Sequence, residues 1–473
     1  MDRSSKQTFN FVNLSHPDEL KDEGTQIRIR RFAMAEVGKA RRKPKTRRER
    51  NEIVLEVREA YWVASEHLNL ERLGCGEFDP FIRFPIDLND SSRELIANIF
   101  RSNSSHQKVL RGSWFPVGLF DAAAFNCVLA NSQLYVRMEQ SGSYISEDDS
   151  DSLYYHNKCI ALVAKKLCDP NQSTSDALVG GIGSLMCHDQ WKYIIGAFER
   201  HNLHKRALIK ILELRGGIDS ITREELRITL SWCDLVGAFS QDIPPIFPMP
   251  SRWEVDSRSP PSSPKPHVLI SLVWKKHMPM EFDWISIFDD IAQLISLDRA
   301  FTDQAIVAAT TSGSWMEPTM IRLLSIRPLY RSNTRERIME EICRLGMLLF
   351  LSPLWRKMGA TPVYTAAFTR NLLWVLNNHM VEWGDLKPLL VWTIYFATIE
   401  TSNLFERNQF VFMLAVLMNG MQIKEWEELI QVVQNVLWVE SVFASSDEVI
   451  RDEVMAIMTA VPLGSVSGQL QET

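Results

Sequence analysis

Apolar residues recur along most of this chain at steps of three and four, the period of a helix with one face turned inward. Ile53, Val57, Tyr61, Ala64 and Leu68 form one such stripe. Trp191 to Arg215 predicts one long helix or two abutting ones, with Leu203, Ala207, Leu208, Ile211 and Leu214 facing the core. Gly216-Gly217 ends it, because glycine takes the left-handed conformation that caps a helix. Thr222-Arg-Glu-Glu225 has capping-box spacing and opens the next helix, through Leu226, Leu230, Cys233 and Val236. Further helices are predicted over residues 91–101, 117–137, 154–168, 285–297, 335–350, 363–379, 385–399, 404–419 and 424–438. Alternation with a period of two is nearly absent, so the expected fold class is all-α, an irregular multi-helix array.

Two polar stretches interrupt the pattern. Residues 138–152 are rich in serine and acids and read as a loop. Residues 242–266 are rich in proline and end in Ser259-Pro-Pro-Ser-Ser-Pro-Lys-Pro266, the composition of a stiff, solvated linker. Ser259-Pro260 and Ser263-Pro264 also match proline-directed phosphorylation sites, against a plain spacer. The expected organisation is an N-terminal segment over 1–50, helical halves over 51–241 and 267–473, and the linker between them. The helices differ in length and share no fixed period, which argues against a regular solenoid.

Composition fits a packed protein of 473 residues, 45% hydrophobic and 23% charged, with 14 Trp and 23 Phe. The first residues lack the apolar core of a signal peptide. The longest apolar runs, Pro388–Thr398 and Gly346–Leu351, fall short of the roughly 18 residues of a membrane span. Seven scattered cysteines (75, 127, 159, 168, 187, 233 and 343) read as buried reduced thiols, which points to cytosol or nucleus.

Charge changes the picture most. Between Arg28 and Arg50 stand eleven Lys or Arg against Glu36 and Glu49, in a chain whose net charge is −6. Arg41, Arg42, Lys43, Lys45, Arg47 and Arg48 form its densest cluster, broken by Pro44. A basic arm on an acidic body suits nuclear targeting or contact with a polyanion such as nucleic-acid phosphate; the plain alternative is a solvated arm that aids solubility.

Motifs that carry catalysis are missing. No phosphate-binding Gly-x-x-x-x-Gly-Lys-Ser/Thr loop, nucleophile elbow or His-Glu-x-x-His occurs. Gly180-Gly181-Ile182-Gly183 lacks the strand and third glycine of a dinucleotide fingerprint and reads as tight helix packing or a helix junction. His201 and His204 can share a helix face, but further metal ligands are not placed beside them. Terpene cyclases need an Asp-Asp-x-x-Asp/Glu run to hold magnesium; after Glu147-Asp148-Asp149-Ser150-Asp151 stands Ser152 where the final acid should be, and Asp289-Asp290-Ile291-Ala292-Gln293 has Gln293 there. No cofactor is expected.

Several segments together carry a resemblance: Phe9-Asn-Phe-Val-Asn13, Pro17 and Ile27-Arg-Ile-Arg-Arg31 with Gly38-Lys-Ala-Arg-Arg42; Phe78-Asp-Pro-Phe81 with Phe84-Pro85; Ala124-Phe125 with Leu129-Ala130. The most specific stretch is His204-Lys-Arg-Ala-Leu-Ile209, Leu214-Arg-Gly-Gly217 and Trp232-Cys-Asp234. Over roughly residues 9–240 the chain resembles fungus-specific transcription-factor-like proteins, whose helical domain usually follows a zinc binuclear-cluster module. That module needs six cysteines within about thirty residues, whereas this chain has none before Cys75. Phe32 and Ala207 also depart from the usual His and Gly. The resemblance implies a nuclear regulator that works through protein partners, such as a DNA-binding transcription factor, and a setting beside fungal secondary-metabolite genes. Only weak, sequence-independent nucleic-acid contact through the arm is expected, and no membrane contact. Two other readings stay open: a helical scaffold unrelated to transcription, in the cytoplasm, and an all-α enzyme of unrecognised type.

Overall fold

In the computed structural model every regular element among the described residues is helical. Those residues are 84–101, 114–141, 149–190, 196–251, 253, 269–296, 316–357, 360, 363–443 and 447–460, all within one compact unit, Leu70–Thr473. The predicted helix over residues 53–68 lies outside them.

The first core is built around a helix that the apolar pattern obscures. Helices α1 (Asp90–Arg101) and α2 (Phe115–Leu119) pack on α3 (Ala122–Ser141), and α3 and α4 (Ser150–Leu167) pack on α5 (Asp176–Asp189). Almost all of α5 is buried, because its glycines let neighbours come close. A Cβ on Gly181 would lie 2.9 Å from Val163 Cγ2, and one on Gly183 would lie 2.6 Å from Leu230 Cδ2. Gly180-Gly181-Ile182-Gly183 is therefore a packing element inside a helix. The acidic loop is shorter than expected: α3 runs on to Ser141, and Asp149 caps α4 by accepting from Ser152 N.

Helix α6 (Glu199–Arg215) corrects the expected stripe. It starts after Gly196, which has φ +71°, so the stretch from Trp191 is not one continuous helix. Leu208 and Ile211 are buried as expected, yet Leu203 and Leu214 are exposed, Leu214 by 78%. The buried stripe runs through His201, Lys205, Leu208 and Leu212. Two of these are polar, and partners across the core hold them, so hydrophobicity alone placed the face about a third of a turn away. Gly216 has φ +91°, and Gly217 N bonds Leu212 O at 2.8 Å, the expected left-handed cap.

Helix α7 (Glu224–Gln241) starts behind Arg223, with no side-chain cap bond from that residue, one position later than the capping-box reading placed it. It serves both cores. Leu226, Leu230 and Cys233 join the first, while Leu235, Val236, Ala238 and Phe239 join the second. Two residues of the predicted linker stretch are buried, Phe247 in the first core and Trp253 in the second, while Ile243, Pro244, Ile246 and Pro248 are exposed. Asp234 Oδ2 accepts from the backbone N–H of Ile246 (2.5 Å) and Phe247 (2.8 Å). Residues 254–266, with both Ser-Pro pairs, lie outside the described residues.

The second core contains α8 (Leu269–His277), α9 (Trp284–Ser296), α10 (Glu317–Ser325), α11 (Arg335–Lys357), α12 (Ala366–Asn378), α13 (Lys387–Glu400), α14 (Leu404–Gly420), α15 (Trp426–Gln434), α16 (Glu440–Phe443) and α17 (Glu448–Ala460). Helices α11 and α13 are buried on nearly every side. Phe350, Trp392, Phe396, Trp438 and Phe443 make a ring cluster with centroids 4.8–6.4 Å apart. No helix among the described residues is long and apolar enough to cross a membrane.

Candidate functional site

The predicted targeting residues Arg41, Arg42, Lys43, Lys45, Arg47 and Arg48 lie outside the described residues. The described residues hold two buried polar networks, and His204 and Asp234 of the most specific stretch fall in or beside the first.

The first centres on Asp189, at the end of α5. Its Oδ2 accepts from His204 Nδ1 at 2.7 Å, and its Oδ1 pairs with Arg200 Nη2 at 3.1 Å. Arg200 Nη2 also donates to His156 Nε2 at 2.9 Å. Since Arg only donates, that nitrogen of His156 carries a lone pair. The His156 and His188 rings lie 4.5 Å apart, and His188 Nδ1 meets Asn131 Oδ1 at 3.1 Å. Next to this, Lys205 Nζ pairs with Asp234 Oδ1 at 2.5 Å. His201 Nδ1 donates to Met186 O at 3.2 Å. Burial brings His201 down to about 4 against the pull of that bond, with Lys205 adding to the lowering, so the ring is neutral at pH 7.

These contacts explain much of the motif that carries the resemblance. His204 and Asp234 anchor α6 and α7. Arg215 ties the N-terminus of α5 to the turn after α6: its Nη2 reaches Asp176 Oδ1 at 2.5 Å, its Nη1 Thr174 O at 2.8 Å, and its Nε Ser220 Oγ at 3.1 Å. Trp232 packs against Trp355 of the second core, with ring centroids 5.2 Å apart and planes tilted by 60°. Asp189, Arg200 and Lys205 escaped the sequence reading, although Lys205 sits four residues after His201, in phase with the buried face.

The second network fixes the C-terminal end of α7 against elements of the second core. Asp242 follows α7 in the left-handed conformation (φ +51°). Its Oδ1 accepts from Arg327 Nη1 and Arg344 Nη1, both at 2.8 Å; its Oδ2 accepts from Arg344 Nη2 at 3.0 Å and Asn371 Nδ2 at 2.7 Å. Arg344 also donates to Glu341 through Nε (2.9 Å) and Nη2 (2.6 Å). Burial by itself would raise the Asp242 carboxyl, but Arg344 and Arg327 outweigh it and hold it below its ordinary range. Among the described residues, Arg327 Nε and Nη2 are buried with no hydrogen-bond partner. The sequence signal for this network is Arg337, Glu340, Glu341 and Arg344, which repeat at three and four inside an otherwise apolar α11. Arg337 and Glu340 pair at 2.6 Å, and Glu340 also accepts from Trp284 Nε1 at 3.1 Å.

Chemically these networks neutralise charge and fix helices. Burial pushes the thiols of Cys127, Cys187, Cys233 and Cys343 up, which keeps them protonated and poorly nucleophilic. Cys168 is exposed, unlike the buried thiols expected from the sequence. Asp149 caps α4 and Asp290 pairs with Arg322; Glu147 and Asp148 lie outside the described residues. Among the described residues no group of three or more His, Cys, Asp or Glu is placed to hold an ion. In comparisons with known proteins, no family model, curated protein or solved structure matches this chain.

Proposed function

We propose that the chain is a nuclear regulatory protein that acts through protein partners, one of them a sequence-reading transcription factor. In this reading the helical body is a rigid interaction framework and the basic arm brings it to the nucleus. The observation that carries the reading is the division of charge: eleven Lys or Arg between Arg28 and Arg50 in a chain of net charge −6. Import receptors recognise such a cluster, and DNA phosphates attract it without reading sequence. The body supports the reading through its ion pairs. Asp189, Asp234, Asp242 and Glu341 hold helices in place, the economy of a framework that offers its surface to others. The Leu214-Arg-Gly-Gly217 and Trp232-Cys-Asp234 stretches support the regulatory family, and a role beside secondary-metabolite genes belongs to that same proposal.

The test is localisation. Arg41, Arg42, Lys43, Lys45, Arg47 and Arg48 are changed together to Gln in the full chain carrying a fluorescent tag. Wild type should be nuclear and the variant cytoplasmic, with unchanged helical circular dichroism. A cytoplasmic wild type, or a variant that stays nuclear, would overturn the targeting role.

A further inference from the structure

Two free thiols meet where the first core is tightest. Cys127 of α3 and Cys159 of α4 are both fully buried. No helix pair among the described residues packs more extensively than α3 and α4. Two contacts show that these helices run antiparallel and fix their register. Ser152 Oγ donates to Ala130 O at 3.1 Å, and Lys166 Nζ pairs at 2.8 Å with Asp121, just before α3. Positions 127 and 159 both fall between those contacts.

Helix α5 receives both sulfurs. Cys127 Sγ donates to Ser184 O at 3.1 Å, and Cys159 Sγ points to Gly181 O at 3.9 Å. The two carbonyls belong to residues three apart, on successive turns of one face. A Cβ on Gly181 would lie 2.9 Å from Val163 Cγ2 and 3.3 Å from Ala123 Cβ. Those residues stand one turn from Cys159 and Cys127, so all three helices touch at this level. The two sulfurs are near enough to share a hydrogen bond.

We infer that Cys127 and Cys159 form a redox-sensitive clasp: a hydroperoxide oxidises the pair to a disulfide that staples α3 to α4 inside the first core. With hydrogen peroxide the balance is as follows. One sulfur attacks a peroxide oxygen as its thiolate and the O–O bond breaks. A sulfenic acid forms, and the released hydroxide leaves as water with that thiol's proton. The second sulfur then attacks the sulfenic sulfur. The S–S bond forms, the S–OH bond breaks, and a second water leaves with the remaining thiol's proton. The sulfurs lose two electrons and the peroxide oxygens gain them. Neither sulfur meets water in the closed fold, so the first step waits on a local opening of α4. The finished bond closes a stretch of about thirty residues and opposes that opening, so the oxidised chain is the more stable. This inference concerns the first core and does not rest on the regulatory reading.

The experiment exposes the native full chain to hydrogen peroxide, blocks remaining thiols with N-ethylmaleimide in denaturant, and maps the digested peptides by mass spectrometry. Exposed Cys168 reports that peroxide has acted. The peptides of Cys127 and Cys159 should appear linked, lighter by about 2 Da than the two free peptides together, and dithiothreitol should separate them. Oxidation should raise Tm. Cys159→Ala should lose both the linked peptide and the rise, while Cys168→Ser should keep both. Cys127 and Cys159 still blocked by maleimide after Cys168 has been oxidised would overturn the inference. So would either sulfur linked to a different cysteine, or a rise in Tm that survives Cys159→Ala. The peptide map of wild type decides the pairing even if a variant folds poorly.

Discussion

Arg344→Met tests how the end of α7 is held against the second core. The Arg344 side chain is fully buried, and Met fills similar space without charge or donors. The change deletes four charge-assisted bonds: two to Asp242 and two to Glu341. Asp242 keeps Arg327 and Asn371, so the stranded charge falls mainly on Glu341. Breaking a buried pair from one side costs about 3–5 kcal/mol. The expected loss is therefore about 4 kcal/mol. Urea unfolding followed by circular dichroism measures it, and Arg344→Met with Glu341→Gln should recover part of the loss. A cost below about 1 kcal/mol would refute the account of this network.

His201 gives a pH effect. Its pKa falls from an ordinary 6.5 to about 4 in the fold, so the unfolded chain binds the extra proton, and stability present above pH 6.5 drops by about 3 kcal/mol as pH falls to 4; the slope should flatten in His201→Gln, as urea midpoints will show. On α6, Ile211→Ala should cost about 2–5 kcal/mol and Leu214→Ala less than about 0.5 kcal/mol; equal costs would contradict the observed face. Gly183→Ala should destabilise by about 1–3 kcal/mol, because its Cβ would meet Leu230 Cδ2 at 2.6 Å; an unchanged Tm would contradict it. A selection from random oligonucleotides should return no enriched motif, while any binding should weaken with salt at a log–log slope of roughly −7, as for about eight phosphates neutralised by the arm.

The all-α class was legible because the helical period is strong where one face is apolar, as in the predicted 335–350, 385–399 and 404–419 stretches. It failed where buried positions are polar or small. Helix α5 was passed over because Gly180, Gly181 and Gly183 weaken both propensity and pattern, although those same glycines let it lie at the centre of the first core. On α6, His201 and Lys205 belong to the inner face through Met186 O and Asp234, partners distant in sequence. Helices α8, α10 and α17 are short stretches that the pattern did not single out. Phe247 and Trp253 lie in a stretch whose proline content resembles a linker, and the backbone bonds from Ile246 and Phe247 to Asp234 Oδ2 hold Phe247 in place. The ion networks were half legible: Arg337, Glu340, Glu341 and Arg344 fall in phase on α11, but their partner Asp242 lies 102 residues from Arg344. The predicted targeting cluster was legible as charge alone.

The regulatory claim is tested most directly by the transcript profile of a strain lacking this chain, complemented with either wild type or the variant with all six arm residues changed to Gln. The account predicts a coherent set of altered transcripts that wild type restores and the arm variant does not. A profile that deletion leaves unchanged, or that both complements restore equally, would contradict it.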